Sequence, residues 1–234
     1  GRAPRRHRGA TRVQTSQNRL VSVTPAAISE LRRQLEGEVR VDDVSRMLYR
    51  TDASIYEIQP QGVVLPRSAG DVVAATRWAA AHSVSLVPRG GGTSLAGQAV
   101  GDSLHLDFTM YMDRVLETNV EERWVRVEPG LVLDQLNAEL RSHGLVFGAD
   151  VATSSRATIG GMIGNNSSGA HSLLYGKTAD HVLELDVVLA DGTRTSLRPL
   201  GPEELAQVTE RADPVGRIHA EVKSLVEQNA ELID

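Results

Sequence analysis

The spacing of apolar residues along the chain predicts helices and short strands in alternation. The first helix begins at Thr24-Pro25 and stops at Gly37, because proline favours the first helical turn and glycine ends helices. Between these limits the apolar residues have helical spacing, at Ile28, Leu31 and Leu35.

The segment from 63 to 87 predicts a βαβ unit. The apolar strand 63–65 ends at Pro66, and Ser68 with Asp71 predicts a capping box for a helix over 71–82. Residues 84–87 are again apolar and predict the return strand, which leads directly into a glycine-rich loop.

The second half of the chain predicts another α/β lobe. Strands are expected at 104–107, 115–118 and 124–128, followed by a Pro129-Gly130 turn and a helix over 131–142 that Gly144 stops. Asp191-Gly192 predicts a hairpin of 183–190 and 193–197 with a primed turn, and further helices begin at Pro202 and Pro214. We therefore expect an α/β (α+β) fold of two lobes, a βαβ lobe and a second mixed-sheet lobe.

The composition of the chain excludes several classes of protein and of site. The 234 residues, 41% of them hydrophobic, can bury the core of one or two domains, and no apolar stretch approaches the length of a membrane span or a secretory signal. The chain has no cysteine, which excludes disulfides and iron–sulfur ligation within it, and the cytoplasm is the expected compartment. Its seven histidines are scattered, so we expect no metal site.

Charge is unevenly distributed. Residues 1–19 hold six arginines and no acidic residue, whereas the rest of the chain is acidic. Without aromatic residues or lysines, this segment predicts a basic disordered leader rather than a nucleic-acid site.

Two glycine-rich segments, 87–98 and 158–169, indicate a large anionic ligand, because glycine lets successive N–H groups converge on phosphate oxygens. A P-loop NTPase is disfavoured, since Gln98 and Ala99 replace the lysine and Ser/Thr that this motif requires. Gly176-Lys177-Thr178 lacks the matching upstream glycine, where the chain has His171. The evidence for a Rossmann dinucleotide site is weak, because neither segment has G-x-G-x-x-G in register.

Three blocks of this sequence resemble the FAD-binding domain of the vanillyl-alcohol oxidase and p-cresol methylhydroxylase (PCMH-type) superfamily. They are Pro88-Arg-Gly-Gly-Gly-Thr-Ser-Leu-Ala-Gly-Gln98, Ala157-Thr-Ile-Gly-Gly-Met-Ile-Gly-Asn-Asn-Ser-Ser-Gly-Ala170 and Tyr175-Gly-Lys-Thr-Ala-Asp-His-Val182. The resemblance runs from about residue 41 to 197. It is strongest to the flavin subunits of glycolate oxidase and FAD-linked D-lactate dehydrogenase, some of which are fused to an iron–sulfur part.

The resemblance implies which residues bind FAD. For the pyrophosphate these are Pro88, Arg89, Gly90, Gly91, Gly92, Thr93, Ser94, Gly97 and Gln98. For the flavin side they are Asp150, Ala152, Thr158, Gly161, Gly164, Asn165, Ser168, Gly169, Tyr175, Gly176 and Val182. Tight turns remain the alternative for the glycines of the first loop and for Asn165 and Asn166, and core packing remains the alternative for Tyr175. Asp52 and Tyr56 have no role that the sequence assigns.

The implied function is oxidation of a D-2-hydroxy acid, such as lactate or glycolate, by hydride transfer to noncovalent FAD. Covalently flavinylated relatives carry a histidine in the first loop, where this chain has Thr93. An electron acceptor or an iron–sulfur partner is also implied. The alternative is a truncated flavin-binding module without turnover.

The family's substrate-binding segment and metal-binding histidines have no match in the sequence, so the catalytic residues stay unknown. The expected organisation is a leader (1–19), a helix and lead-in (20–60), the FAD-binding domain (61–200), and the helical start of a missing part (201–234).

Overall fold

The computed structural model describes residues 23–233, so the predicted leader lies outside the described residues. The first lobe contains a four-stranded sheet and three helices. In chain order they are α1 (Pro25–Gln34), β1 (Glu38–Arg40), α2 (Asp43–Leu48), β2 (Gly62–Leu65), α3 (Ala69–His82), β3 (Leu86–Arg89) and β4 (Leu104–Asp107).

The sheet has the strand order β1-β2-β4-β3. Strands β2, β4 and β3 are parallel, and β1 pairs with β2 in the antiparallel sense. The predicted βαβ unit is therefore present as β2-α3-β3, with β4 inserted between its two strands. This arrangement places the loop after β3 at the carboxyl end of an edge strand.

The second lobe has two antiparallel ladders rather than one mixed sheet. Its elements are β5 (Val115–Asn119), β6 (Trp124–Val127), α4 (Leu133–Leu140), α5 (Ile159–Asn165), α6 (Ser172–Tyr175), β7 (Leu185–Val188) and β8 (Arg194–Leu197). Strand β5 pairs with β6, and β7 pairs with β8. Arg126 links the two ladders, because its guanidinium lies 3.2 Å from an Asp186 oxygen and 3.5 Å from a Glu184 oxygen.

Three helices complete the described chain, namely α7 (Pro202–Thr209), α8 (Pro214–Gln228) and α9 (Ala230–Ile233). Prolines stand at the start of α7 and α8, as the sequence predicts. No helix within residues 23–233 combines the length and apolarity needed to cross a bilayer.

Each lobe has its own hydrophobic core. Helices α1 and α3 pack Leu31, Ala75 and Trp78 against Leu104 and Leu106 of the sheet. In the second lobe, α4 and α5 bury a cluster that includes Leu133, Leu136, Ile159 and Met162. The first glycine-rich loop joins β3 to β4 in the first lobe, and the second glycine-rich segment includes α5 of the second lobe.

Helix α3 begins with only half of the predicted capping box. Ser68 accepts a hydrogen bond from the Asp71 N–H at 3.3 Å, but the Asp71 carboxylate does not return one to Ser68. It accepts instead from the backbone N–H groups of Arg67 (2.8 Å), Glu36 (2.9 Å) and Gly37 (3.0 Å). Asp71 thus ties the end of α1 to the start of α3, a long-range role that local spacing does not reveal.

Replacing Asp71 with asparagine tests this role. The amide keeps the side-chain shape but only one acceptor oxygen, so at least one buried N–H loses its partner. We expect the free energy of unfolding to fall by about 2 kcal/mol. Urea unfolding measures the loss, and an unchanged midpoint would contradict it.

The primed turn predicted for the β7-β8 hairpin is wrong. The Gly192 N–H donates to the Leu189 carbonyl and the Leu189 N–H to the Thr193 carbonyl, both at 2.8 Å. Within the turn only Gly192 has a positive φ, of 79°. This pattern is a three-residue loop closed by a glycine bulge, and Asp191 stabilises it by accepting the Thr193 N–H at 2.8 Å.

Candidate functional site

The first glycine-rich loop follows β3 and presents unpaired backbone donors. None of the N–H groups from Gly90 to Leu95 donates a hydrogen bond to another residue in the range 23–233. Further along the loop, the Ala96 N–H donates to the Gln98 side chain and the Ala99 N–H to Asp52. A run of successive unpaired N–H groups is a ready set of donors for an anion.

The first loop packs directly on the second glycine-rich segment. A Cβ atom added at Gly90 would lie 2.1 Å from the Thr158 hydroxyl oxygen, and one at Gly91 would lie 2.1 Å from the Arg156 carbonyl oxygen. Only glycine allows this approach. The structure therefore brings together two segments that are far apart in sequence.

Helix α5 carries several of the predicted site residues. Its N-cap is Thr158, whose hydroxyl accepts the Gly161 N–H at 3.3 Å. Thr158 is 2% exposed, so its side chain serves as a cap and as a packing surface for Gly90 rather than as an open ligand contact. At the other end of α5, the Asn165 side chain accepts a hydrogen bond from Gln98 of the first loop at 3.5 Å.

Arg89 has a different position from the one implied by its place in the loop motif. Its guanidinium donates to the carbonyls of Ala99 (2.6 Å), Thr51 (2.8 Å) and Tyr49 (3.4 Å). Burial lowers the pKa of this group, and the nearby Asp107 carboxylate counters that effect. A Cβ at Gly92 would lie 2.6 Å from an Arg89 nitrogen, so the positive charge lies directly beside the loop.

Some of the flavin-side candidates line a cleft of about 500 Å³. Four predicted residues line it, namely Asp150, Ala152, Ser168 and Gly169. Its other lining residues include Asp134, Asn137 and Ser154, which supply carboxylate, amide and hydroxyl groups suited to a polyhydroxylated ligand.

Asp150 is paired with His171 beside this cleft. The carboxylate accepts the His171 N–H at 3.1 Å and contacts its Nδ1 atom. The His171 side-chain hydrogen bond is the largest influence on Asp150 and lowers the pKa of the carboxyl group. The carboxylate is thus held charged and oriented at the cleft wall.

The third block contacts the loop that leads to Asp150. A Cβ at Gly148 would lie 3.1 Å from Tyr175 and 3.0 Å from His181, so the third block supports the loop that carries Asp150. Gly176 has a φ of 84° and abuts Asp180, and Val182 follows the 3₁₀ turn Thr178–His181. Within residues 23–233 no group of three or more potential ligand side chains could hold a metal ion.

Residues 52–56 contact the first loop, although the sequence did not mark them as part of the site. Asp52 accepts the Ala99 N–H at 3.2 Å, and the Ala53 N–H donates to the Gly92 carbonyl at 3.0 Å. Gly97, with a φ of 78°, packs against the Tyr56 ring. These contacts join positions about 40 residues apart, and local motifs carry no signal for them.

Comparison with known sequences places the chain in a family. Residues 60–198 match the family model described as an FAD binding domain. The chain is 43% identical over 201 residues to D-2-hydroxyglutarate dehydrogenase of Pseudomonas putida, a match that covers 85% of this chain and 20% of that protein. It is 36% identical to the glycolate oxidase subunit GlcD of Bacillus subtilis, covering 68% of this chain and 35% of that subunit. The chain therefore spans about a fifth of the first of these relatives and about a third of the second.

Solved structures show the same fold. An alkyldihydroxyacetonephosphate synthase superposes with a TM-score of 0.68 at 23% identity, covering 77% of this chain and 35% of that one. A 6-hydroxy-D-nicotine oxidase from Arthrobacter nicotinovorans gives a TM-score of 0.63 at 23% identity, covering 70% and 36% of the two chains. The predicted α/β, PCMH-type fold is confirmed. On the strength of the matched residues, the chain belongs to the family of FAD-binding domains.

Proposed function

We propose that this chain binds FAD noncovalently and forms the cofactor-binding part of an oxidoreductase that oxidises a D-2-hydroxy acid. The observation that carries the proposal is the set of unpaired N–H groups from Gly90 to Leu95 beside the Arg89 guanidinium. A pyrophosphate needs several hydrogen-bond donors and a nearby positive charge, and this loop has unpaired N–H groups beside a guanidinium.

The residues present fit the cofactor. The glycines of the first loop let its backbone approach Thr158, Arg156 and Arg89 closely, and the Thr93 and Ser94 hydroxyls add side-chain donors to the same loop. We assign the pyrophosphate to residues 90–94, with Gly97 and Gln98 as the adjoining wall. Pro88 and Arg89 act from the end of β3, through backbone position and charge.

The cleft of about 500 Å³ fits the ribityl and ring portions of the same ligand. Asp150 and Ser168 offer acceptors and donors for hydroxyl groups, and Ala152 and Gly169 leave room for a flat apolar surface. From α5, Gly161, Gly164 and Asn165 would contact the ligand along the helix. For Tyr175, Gly176 and Val182 we propose the role of shaping this wall.

Bound FAD would supply the acceptor for the hydride that leaves the carbon bearing the substrate hydroxyl. The residues of this chain supply binding, orientation and charge. Thr93 at the covalent-attachment position carries no imidazole, so the bond between protein and flavin found in some relatives is not expected here. This favours a cofactor that acid can release.

The proposed substrate class is based on the two relatives described above, whose names specify D-2-hydroxyglutarate and glycolate. Both compounds are 2-hydroxy acids. We propose a D-2-hydroxy acid as the substrate, a separate electron acceptor or iron–sulfur partner, and the cytoplasm as the compartment.

The experiment is a visible absorption spectrum of the purified chain, taken before and after adding FAD and desalting. Retained flavin bands that move to the supernatant on acid precipitation would support noncovalent FAD. Anaerobic addition of D-2-hydroxyglutarate, D-lactate or glycolate, with L-lactate as the control, then tests turnover. Bleaching by a D-hydroxy acid supports the oxidoreductase, whereas retained FAD without bleaching favours a flavin-binding module. A chain that takes up no FAD contradicts the proposal.

A further inference from the structure

We propose that Asp52 and Arg89 are positioning residues that hold the first glycine-rich loop in its ligand-binding conformation. This inference rests on the proposed FAD site and extends it. Both residues act on the backbone around the loop. Asp52 belongs to a segment, 49–56, that we call the brace, whereas Arg89 lies at the end of β3.

Arg89 fastens both sides of the loop to the brace. Its guanidinium donates to the Ala99 carbonyl at the far end of the loop and to the Thr51 and Tyr49 carbonyls of the brace. Because the five N–H donors of arginine lie in one rigid plane, this group fixes the relative position of three carbonyls at once. The start and the end of the loop are thereby held together.

Asp52 also holds the end of the loop, through hydrogen bonds to backbone N–H groups. One carboxylate oxygen accepts the Ala99 N–H at 3.2 Å, and the other accepts the Ser54 N–H at 2.8 Å. The next residue, Ala53, donates its N–H to the Gly92 carbonyl at 3.0 Å. The brace therefore contacts the loop at its middle as well as at its end.

The two loop glycines with left-handed backbone both lie against these groups. Gly92 has a φ of 64° and abuts the Arg89 guanidinium, and Gly97 has a φ of 78° and abuts the Tyr56 ring. Any side chain at either position would meet these groups. The shape of the loop is thus matched to Arg89 and to the brace.

The fixed shape of the loop affects its affinity for FAD. A flexible loop must lose conformational entropy when it binds a ligand, at a cost of about 1 kcal/mol or more for each residue that becomes ordered. A loop that is already fixed avoids that loss. We therefore expect weaker FAD binding when the brace is loosened, even though the ligand-contacting residues remain.

The test compares Asp52→Ala with wild type and with Asp42→Ala. Asp42 is a matched control, because it lies in the same lobe and also accepts a local backbone N–H, that of Ser45, without contacting the loop. FAD affinity is measured by quenching of flavin fluorescence. We expect Asp52→Ala to bind FAD about 10-fold more weakly, which is about 1.4 kcal/mol, with Asp42→Ala unchanged.

Three further readouts separate positioning from general damage to the fold. ADP carries the pyrophosphate without the flavin ring, and its affinity should fall by the same factor. Amide hydrogen exchange at Ala53 should accelerate in the ligand-free variant, since its acceptor Gly92 is no longer held. The melting temperature of Asp52→Ala should stay close to that of Asp42→Ala. Asp52→Asn keeps one acceptor and should show an intermediate loss of affinity.

Equal FAD affinity in wild type and Asp52→Ala would overturn the inference, as would a loss of affinity that only accompanies a matching loss of stability in both Asp52 variants. Failure of wild type itself to bind FAD would instead contradict the proposed function. In that case Ala53 exchange alone decides whether the brace orders the loop.

Discussion

Gly91→Ala is expected to weaken FAD binding by about 100-fold, which corresponds to about 2.7 kcal/mol. The added Cβ would lie 2.1 Å from the Arg156 carbonyl oxygen and 3.0 Å from its carbon. These are backbone atoms, so the contact cannot be relieved by a side-chain rotation. The loop must move away from the second segment, which displaces its unpaired N–H groups.

Gly70→Ala is the matched control for this variant. Gly70 is exposed on α3, and a Cβ there meets only the Ser68 hydroxyl, at 3.3 Å. Alanine also favours a helix over glycine, so this variant should fold and bind FAD as wild type does. Both affinities can be measured by flavin fluorescence quenching. FAD affinity within threefold of wild type for Gly91→Ala would contradict the assigned contact between the two segments.

Acid is expected to destabilise the first lobe through His105. This histidine is fully buried on the central strand β4, and neither ring nitrogen has a hydrogen-bond partner in residues 23–233. Burial, and secondarily the charge of Arg89, lower its pKa from 6.5 to about 4. The folded chain therefore keeps His105 neutral at a pH where the unfolded chain protonates it.

The folded and unfolded states bind different numbers of protons at His105, and this difference sets how stability changes with pH. Between pH 6.5 and about 4 the unfolded state binds more protons at this site than the folded state does, so stability falls as the pH is lowered through this window. The free energy of unfolding should lose about 3 kcal/mol from this group across the window. Above pH 6.5 the group is neutral in both states and contributes no slope.

His105→Leu removes the titrating group and two unpaired nitrogens while keeping an apolar side chain of similar size. Urea unfolding at several pH values should give this variant a shallower loss of stability on acidification than wild type. His143→Gln, at an exposed histidine, should keep the wild-type slope. Parallel slopes for wild type and His105→Leu would contradict the account.

Much of the fold is predictable because its signals are local. Pro25, Pro202 and Pro214 each stand at the start of a helix, and Gly144 ends the helical stretch after α4 with a φ of 70°. The exceptions come from contacts between distant segments. Asp71 serves three N–H groups, two of them in the α1-β1 connection, so its role could not be deduced from the spacing around Ser68.

In the candidate site, too, local sequence features are predictable and contacts between distant segments are not. The glycine-rich segments are visible in the sequence because their composition is unusual, and the structure places Gly90 against Thr158. The role of each polar side chain is harder to predict from the sequence. Arg89 lies within the motif yet donates to backbone carbonyls, and Asp52 carries no motif at all, although it holds the end of the loop. The contacts that the sequence implies between its candidate residues and the cofactor remain predictions.

The central claim is that the backbone N–H groups of the first loop bind the pyrophosphate of FAD. Amide ¹H–¹⁵N chemical shifts recorded during titration test it directly, with riboflavin, which has no phosphate, as the comparison ligand. We predict large shifts for the amides of Gly90 to Ser94 with FAD and only small ones with riboflavin. If FAD binds while these amides do not shift, or if riboflavin moves them equally, the claim is wrong.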